Sequence, residues 1–299
     1  MAIIGTHISA AGGLDKVFAR ADALRCEALQ LFTRSARQWL HKPVSFTEAQ
    51  DFYSAWKSSR VKRVVCHSSY LINLATADAE IRKKSIQALT DEAERCHQLG
   101  INDIVVHPGF AMGLSEDEAI KNVAEALLEV FSKTPEYTAR ILLETMAGQG
   151  TVIGVSFAQL GNILKAVSFP ARLGICIDTS HVFAAGYDLR TAEAYERFVD
   201  AAERHVGTES VGCWHLNDNI GEKGKNLDRH THIGQGQIGP EPFIQLMNDE
   251  RFSDTPTILE TPKEFSELSA AVVRVKLKNR ETDRYDEMNL SFLRKVRGQ

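Results

Sequence analysis

The chain has 299 residues, 43% hydrophobic and 25% charged, with a formal net charge of −4, which is an ordinary globular balance with ample material for a core. It carries no apolar run near the roughly 18 residues of a membrane span, and its start, Met1 to His7, lacks the basic segment and long apolar stretch of a secretory leader. The five cysteines (Cys26, Cys66, Cys96, Cys176, Cys213) are scattered without a CxxC pair, so reduced thiols and a cytoplasmic location are expected rather than a disulfide framework.

In chain order, the first apolar run is Ala2–Ser9, followed by a helical stripe of Leu14, Val17, Phe18, Ala21 and Leu24. Runs at Ala28–Arg34 and Arg63–Ser68 come next, then a stripe of Ile86, Leu89, Ala93 and Cys96 closed by Gly100. After the run Asp103–Gly109, Ser115-Glu116-Asp117-Glu118 fits a capping box and opens a helix with the stripe Ile120, Val123, Leu127 and Phe131. The runs Ala139–Thr145, Leu173–Thr179, Val211–Asp218 and Pro256–Thr261 complete a set of eight. Each is continuously apolar, as a strand buried on both faces must be, so the sheet is expected to be parallel. Eight strand–helix units predict a closed (β/α)₈ TIM barrel, an α/β fold with its active site at the C-terminal ends of the strands. No Pro/Gly/Ser-rich linker divides the chain, so residues 1–299 are expected to form one domain, with 264–299 as a C-terminal extension. That extension has eight basic residues from Arg274 onward against four acidic ones, a pattern that usually solvates a helix face and alternatively contacts phosphate.

Polar side chains able to bind metal recur where the runs end: His7, His67, His107, Glu144, Asp178, His215 and Glu260. A lone histidine or carboxylate there is ordinarily structural. Seven on one rim are not, because clustered buried charge is unfavourable unless a cation compensates it. Asp178-Thr179-Ser180-His181 adds an imidazole where a strand turns into a loop, and the i, i+2 pair Asp228 and His230 faces one side of an extended segment. Imidazole with carboxylate suits zinc, and the nine donors besides His7 exceed the needs of one or two ions at about four positions each, so three ions are expected.

These residues lie in motifs that resemble endonuclease IV, the metal-dependent abasic-site endonucleases of the xylose-isomerase-like barrels: GTHISAAGG (5–13), SARQW (35–39), HSSYLINL (67–74), HPG (107–109), ETMAGQG (144–150), IDTSHVFAAGYDLR (177–190), HLND (215–218), DRHTHIGQGQIG (228–239) and ILETP (258–262). The likeness runs from about Ile4 to Thr261. It implies a trinuclear zinc centre: His67, His107 and Glu144 on one ion; Glu144 as a bridge, Asp178, His215 and Glu260 on the second; His181, Asp228 and His230 on the third. It further implies that Glu144 is catalytic, orienting a metal-activated water for in-line cleavage 5′ to an abasic site, which leaves a 3′-hydroxyl and a 5′-deoxyribose phosphate. Cleaning of blocked 3′ ends, duplex DNA as partner and action as a monomer follow from the same likeness. Arg37, Tyr70 and Leu71, with Gln38 and Trp39 beside them, match side chains that enter the minor groove and fill the space left by the flipped nucleotide. His7 and His232 are expected to support the ligands, whereas His41, His97 and His205 need no special role.

Thr145-Met146 and Gln235 depart from the family pattern without touching a ligand position, and the segment 264–284 reads as an insertion. Three divalent ions carry six positive charges, which turns −4 into +2 with the cations at the mouth, so the acidic balance does not exclude phosphate. Two readings compete: a sugar isomerase or epimerase of the same superfamily, which has no use for the extra histidines or the Arg37 and Tyr70 loops, and a non-catalytic binder of damaged DNA, which has no use for a metal-activated water.

Overall fold

In a computed structural model of the protein, which describes residues 1–167, 170–263 and 279–298, all eight apolar runs become strands. In chain order these are β1 (Ile3–His7), β2 (Ala28–Leu31), β3 (Arg63–His67), β4 (Asp103–Val106), β5 (Arg140–Glu144), β6 (Leu173–Asp178) and β7 (Val211–His215). The short pair β8 (Asp218–Asn219) and β9 (His230–Thr231) intervenes before β10 (Pro256–Leu259). The barrel closes in the order β1-β10-β7-β6-β5-β4-β3-β2. Every neighbouring pair around it is parallel, while β8 and β9 form a separate antiparallel ribbon.

Helices return the chain between strands: α1 (Lys16–Ala23), α2 (Phe46–Lys57), α3 (Ala79–Leu99), α4 (Glu116–Lys133), α5 (Phe157–Ala166), α6 (Thr179–Ala185), α7 (Ala192–Val206), α8 (Glu241–Asn248) and α9 (Asn279–Val296). The capping box at Ser115 forms as its spacing predicts: the Ser115 hydroxyl accepts from the Glu118 amide while the Glu118 carboxylate accepts from the Ser115 amide. Gly100 ends α3 in the left-handed conformation, φ 71°, which a residue with Cβ adopts only under strain. None of the described helices is long and apolar enough to cross a membrane.

The expected extension and insertion at 264–299 fall partly outside the described residues, which resume with α9. Leu290, Leu293 and Val296 of that helix are buried in the shell between barrel and helices. Arg294 donates to the Leu24 carbonyl, and Arg297 to the Ala2 carbonyl and the Glu27 carboxylate, at the strand end opposite His7. These two cations therefore secure α9 to the bottom of the barrel.

The barrel interior is filled by one side chain from every strand: Ile3, Ala28, Val65, Val105, Leu142, Cys176, Cys213 and Ile258, all buried. This layer fixes which side chains point inward above it, because side chains alternate along a strand with a period of two.

Candidate metal centre

Counting two residues up from the interior layer gives Gln30 above Ala28, His67 above Val65, His107 above Val105, Glu144 above Leu142, Asp178 above Cys176, His215 above Cys213 and Glu260 above Ile258. On β1 two such steps lead from Ile3 through Gly5 to His7. Each of the eight strands thus delivers one polar side chain to the same mouth. Seven of them were legible as run-ending polar residues; Gln30 was missed, and the period-two count from Ala28 is the signal that would have found it.

The nine expected ligands all converge. His67 Nε2 and His107 Nε2 lie 3.3 and 3.0 Å from Glu144 Oε2. Its other oxygen, Oε1, is 3.0 Å from His215 Nδ1 and 3.4 Å from His181 Nδ1. His215 Nδ1 is also 3.3 Å from Glu260 Oε2 and 3.9 Å from Asp178 Oδ2. Farther out, Asp228 spans two rings, with Oδ2 3.3 Å from His181 Nε2 and Oδ1 3.1 Å from His230 Nε2, while Asp178 Oδ2 is 3.6 Å from His230 Nε2. Three groups of donors able to hold a metal ion result: His67, His107 and Glu144; Glu144, Asp178, His215 and Glu260; and Asp178, His181 and His230, with Asp228 against both rings of the last. Glu144 belongs to the first two, and Asp178 joins the last two.

Local structure aims each donor. Asp178 caps α6 by accepting from the His181 amide at 2.9 Å, which holds the His181 ring over the mouth. The Thr145 carbonyl accepts from His181 Nδ1 at 2.8 Å, and the Ser68 carbonyl from His67 Nδ1 at 2.9 Å, so both rings turn Nε2 inward. Asn217, fully buried, donates to Asp178 Oδ2 at 2.7 Å and accepts from the Glu260 amide at 3.0 Å. Asp218 of the HLND motif accepts from the amides of Gly236, Ile238 and Gly239, which shapes the loop following His230. A Cβ on Gly236 would sit 2.3 Å from Asp218 Oδ1, so only glycine fits there.

Burial pushes the Glu144 carboxyl up, yet the surrounding imidazoles, His215 and His107 foremost, hold it well below the carboxylate range. Asp228 and Glu260 are held low in the same way, by His181 with His230 and by His215 with His7. Burial opposes charge on His67, His181, His215 and His230, but the facing carboxylates raise all four above the ordinary imidazole value. The set is therefore a buried lattice of alternating charge whose imidazoles hold protons at the positions where lone pairs would meet a cation. Among the described residues His230 Nε2 is buried without a well-directed hydrogen bond, although Asp228 Oδ1 stands 3.1 Å away. A ring nitrogen so poorly satisfied among carboxylates fits a place where a cation can bind.

The family model described as xylose isomerase-like TIM barrel matches residues 18–284. A protein of Geobacter sulfurreducens named "Probable endonuclease 4" is 42% identical over 98% of this chain and 94% of its own length. One of the same name from Chloroflexus aurantiacus is 45% identical over 87% of this chain and 91% of its own. The crystal structure of endonuclease IV from Thermus thermophilus superposes with a TM-score of 0.82 at 31% identity, covering 98% of this chain and 99% of that one. The chain belongs to the endonuclease 4 family. A D-tagatose 3-epimerase-like protein also superposes, with a TM-score of 0.70 at 20% identity, which is a likeness of fold alone.

In this endonuclease 4 family member, a cavity of about 280 Å³ opens above the donors and is walled by Phe32 and Tyr70. The Tyr70 ring packs edge-on against Phe32 at 5.3 Å and tilted against His67 at 5.6 Å, yet the residue is 54% exposed. Burial of its hydroxyl, together with the Glu260 and Glu144 charges, pushes its pKa up to about 12, so it stays neutral. Arg37 and Gln38 are exposed on the loop after β2, Leu71 is half-buried beside Tyr70, and Trp39 packs on the core. His7 accepts from Gln30 Nε2 at 3.1 Å and stands 3.7 Å from Glu260 Oε1, which ties it to the ligand set. His232 is buried elsewhere: Asn289 donates to its Nδ1 at 3.0 Å and its ring stacks on Tyr285, binding the loop after β9 to α9. Phe32 escaped sequence reading because an aromatic ending an apolar run looks like core.

Proposed function

We propose that the chain is a zinc-dependent abasic-site endonuclease of base excision repair. It cuts duplex DNA 5′ to the lesion, leaves a 3′-hydroxyl and a 5′-deoxyribose phosphate, and removes blocking groups from 3′ ends. The observation that carries this reading is the double use of Glu144, whose two oxygens each face a different group of imidazoles. Three ions are assigned: one to His67, His107 and Glu144; one to Glu144, Asp178, His215 and Glu260; one to His181, Asp228 and His230. The nitrogen and oxygen donor set, free of thiolate, suits zinc. When bound, such ions supply Lewis acidity, lowering the pKa of water towards about 7 and neutralising charge that develops on phosphate.

The chain's own residues do the rest. Glu144 and Glu260 keep two carboxylates ionised at the mouth, and Asn217 and the Thr145 carbonyl hold Asp178 and His181 in register. Tyr70, rigid against Phe32 and neutral, presents an apolar edge that can enter a duplex without repelling its phosphates, and a missing base makes that entry easier. Arg37 adds a cation on the neighbouring loop. The protein acts as a monomer in the cytoplasm. Metal analysis combined with nicking of one abasic-site duplex tests the proposal. About three zinc ions per chain and cleavage 5′ to the lesion are expected, and an inert, metal-free protein overturns it.

A further inference from the structure

We infer that Gln30 is a positioning residue that decides which ring nitrogen His215 offers to a cation and fixes Glu260 beside it. The inference rests on the metal-centre reading above and goes beyond it, since Gln30 itself has no place among the ligands.

Its hydrogen bonds admit one arrangement. Glu260 can only accept, so the group 2.6 Å from its Oε1 must be the Gln30 amide nitrogen. The second hydrogen of that nitrogen points to His7 Nδ1 at 3.1 Å. With the nitrogen committed on this side, the amide oxygen faces His215 Nε2 at 2.8 Å. An amide oxygen only accepts, so His215 Nε2 must carry hydrogen. That leaves Nδ1, lying 3.0 Å from Glu144 Oε1 and 3.3 Å from Glu260 Oε2, as the nitrogen that gives up its proton and offers a lone pair when a cation shared with those carboxylates is bound.

Without Gln30 the preference reverses. A neutral His215 ring would then keep its one proton on Nδ1, facing the carboxylates of Glu144 and Glu260, and occupy the nitrogen that the ion needs. Gln30 opposes this by favouring Nε2–H, and the same amide stops Glu260 from swinging away. Its placement is firm: it is fully buried on β2, in register with His7 on β1. A hydrogen-bond partner of a ligating imidazole sets ring orientation and tautomer, and losing such a partner typically costs about 10–100-fold in metal affinity.

The test uses Gln30→Met, which keeps length and approximate volume but cannot orient a proton, with zinc alone as the probe. Zinc affinity is measured by competition with a chromogenic chelator, and ¹H–¹⁵N NMR of the zinc-loaded protein follows the His215 ring. The wild type is expected to show a slowly exchanging Nε2–H on His215. In Gln30→Met that signal exchanges rapidly, one zinc loosens by about 10–100-fold while the others keep their affinity, and kcat falls with KM for abasic duplex unchanged. Should Gln30→Met fail to fold, Gln30→Ala, which adds no bulk to the strand and likewise cannot orient a proton, is read by the same two measurements, with the same loosening expected. A variant that binds every zinc as tightly as wild type, with the His215 signal intact, overturns the inference and leaves the metal-centre reading standing. Wild-type protein that takes up no zinc instead overturns the reading on which the inference rests.

Discussion

Replacing Glu144 with Gln isolates the charge that the centre is built around. The amide keeps the carboxylate's shape in a fully buried position, so no cavity is opened. It removes the negative charge from a group whose oxygens stand 3.0 Å from His107 and 3.0 Å from His215, one oxygen for each neighbouring set of donors. Losing one preorganised electrostatic contact typically costs at least about 10²-fold in rate. Two such contacts, one on each side, give about 10⁴-fold, or about 5.4 kcal/mol at about 1.36 kcal/mol per factor of ten. The assay is single-turnover nicking of a duplex with one abasic site, with metal content measured on the same preparation. KM for the duplex should change little, because Tyr70 and Arg37 are untouched. Turnover within about tenfold of wild type at an undiminished metal content would refute the reasoning, since the charge shared by both sets would then be dispensable.

Tyr70→Ala removes a stacking edge worth about 1–3 kcal/mol, so abasic-duplex binding should weaken roughly 5- to 150-fold by titration, with zinc content unchanged. Arg37→Ala should lower the slope of log K against log salt by about 0.9, as one phosphate contact does; an unchanged slope removes Arg37 from the interface. In the metal-free chain, the stability supplied by the raised imidazoles of His67, His181, His215 and His230 is complete below about pH 6.5 and lost as pH rises through their folded values. The depressed carboxyls of Glu144, Asp228 and Glu260 contribute above about pH 4.3 and lose that contribution as pH falls through their folded values. Thermal scans should therefore place the metal-free optimum between about pH 4.5 and 6.5, and calorimetry in two buffers should detect protons released on zinc uptake at about pH 7. Gly5→Ala places a Cβ 2.0 Å from the Ala28 carbonyl oxygen, a backbone clash across β1 and β2 that should lower stability by about 3 kcal/mol or more in denaturant melts.

The barrel was legible because burial on both faces leaves a strand no polar side chain until it ends, so eight apolar runs and seven polar punctuation marks stood out together. The same logic concealed Gln30. A single amide inside the run Ala28–Arg34 reads as a flaw in a strand, since its partners, His215 and Glu260, lie 185 and 230 positions away in the chain. The assignment of ligands to individual ions was legible only through motif likeness, because no spacing along the chain says that Asp178 reaches His230 as well as His215. His232 makes the complementary point: it is two residues from His230, on the same side of an extended segment by periodicity alone, yet its ring stacks on Tyr285 of α9 and its Nδ1 accepts from Asn289. The β8–β9 ribbon is short, and the loop after it is bent by Asp218 accepting three amides, so the alternation that sorts a long strand does not extend there. Pattern therefore sorts donors from packing residues where a strand is long and rigid, and it fails to do so, as at His232, where a loop is held by side chains from elsewhere in the chain. The strand-borne ligands of this centre could be read by counting and Asp228 with His230 from their i, i+2 spacing, but only the closed barrel, with α6 and its capping Asp178, brings that pair against His181.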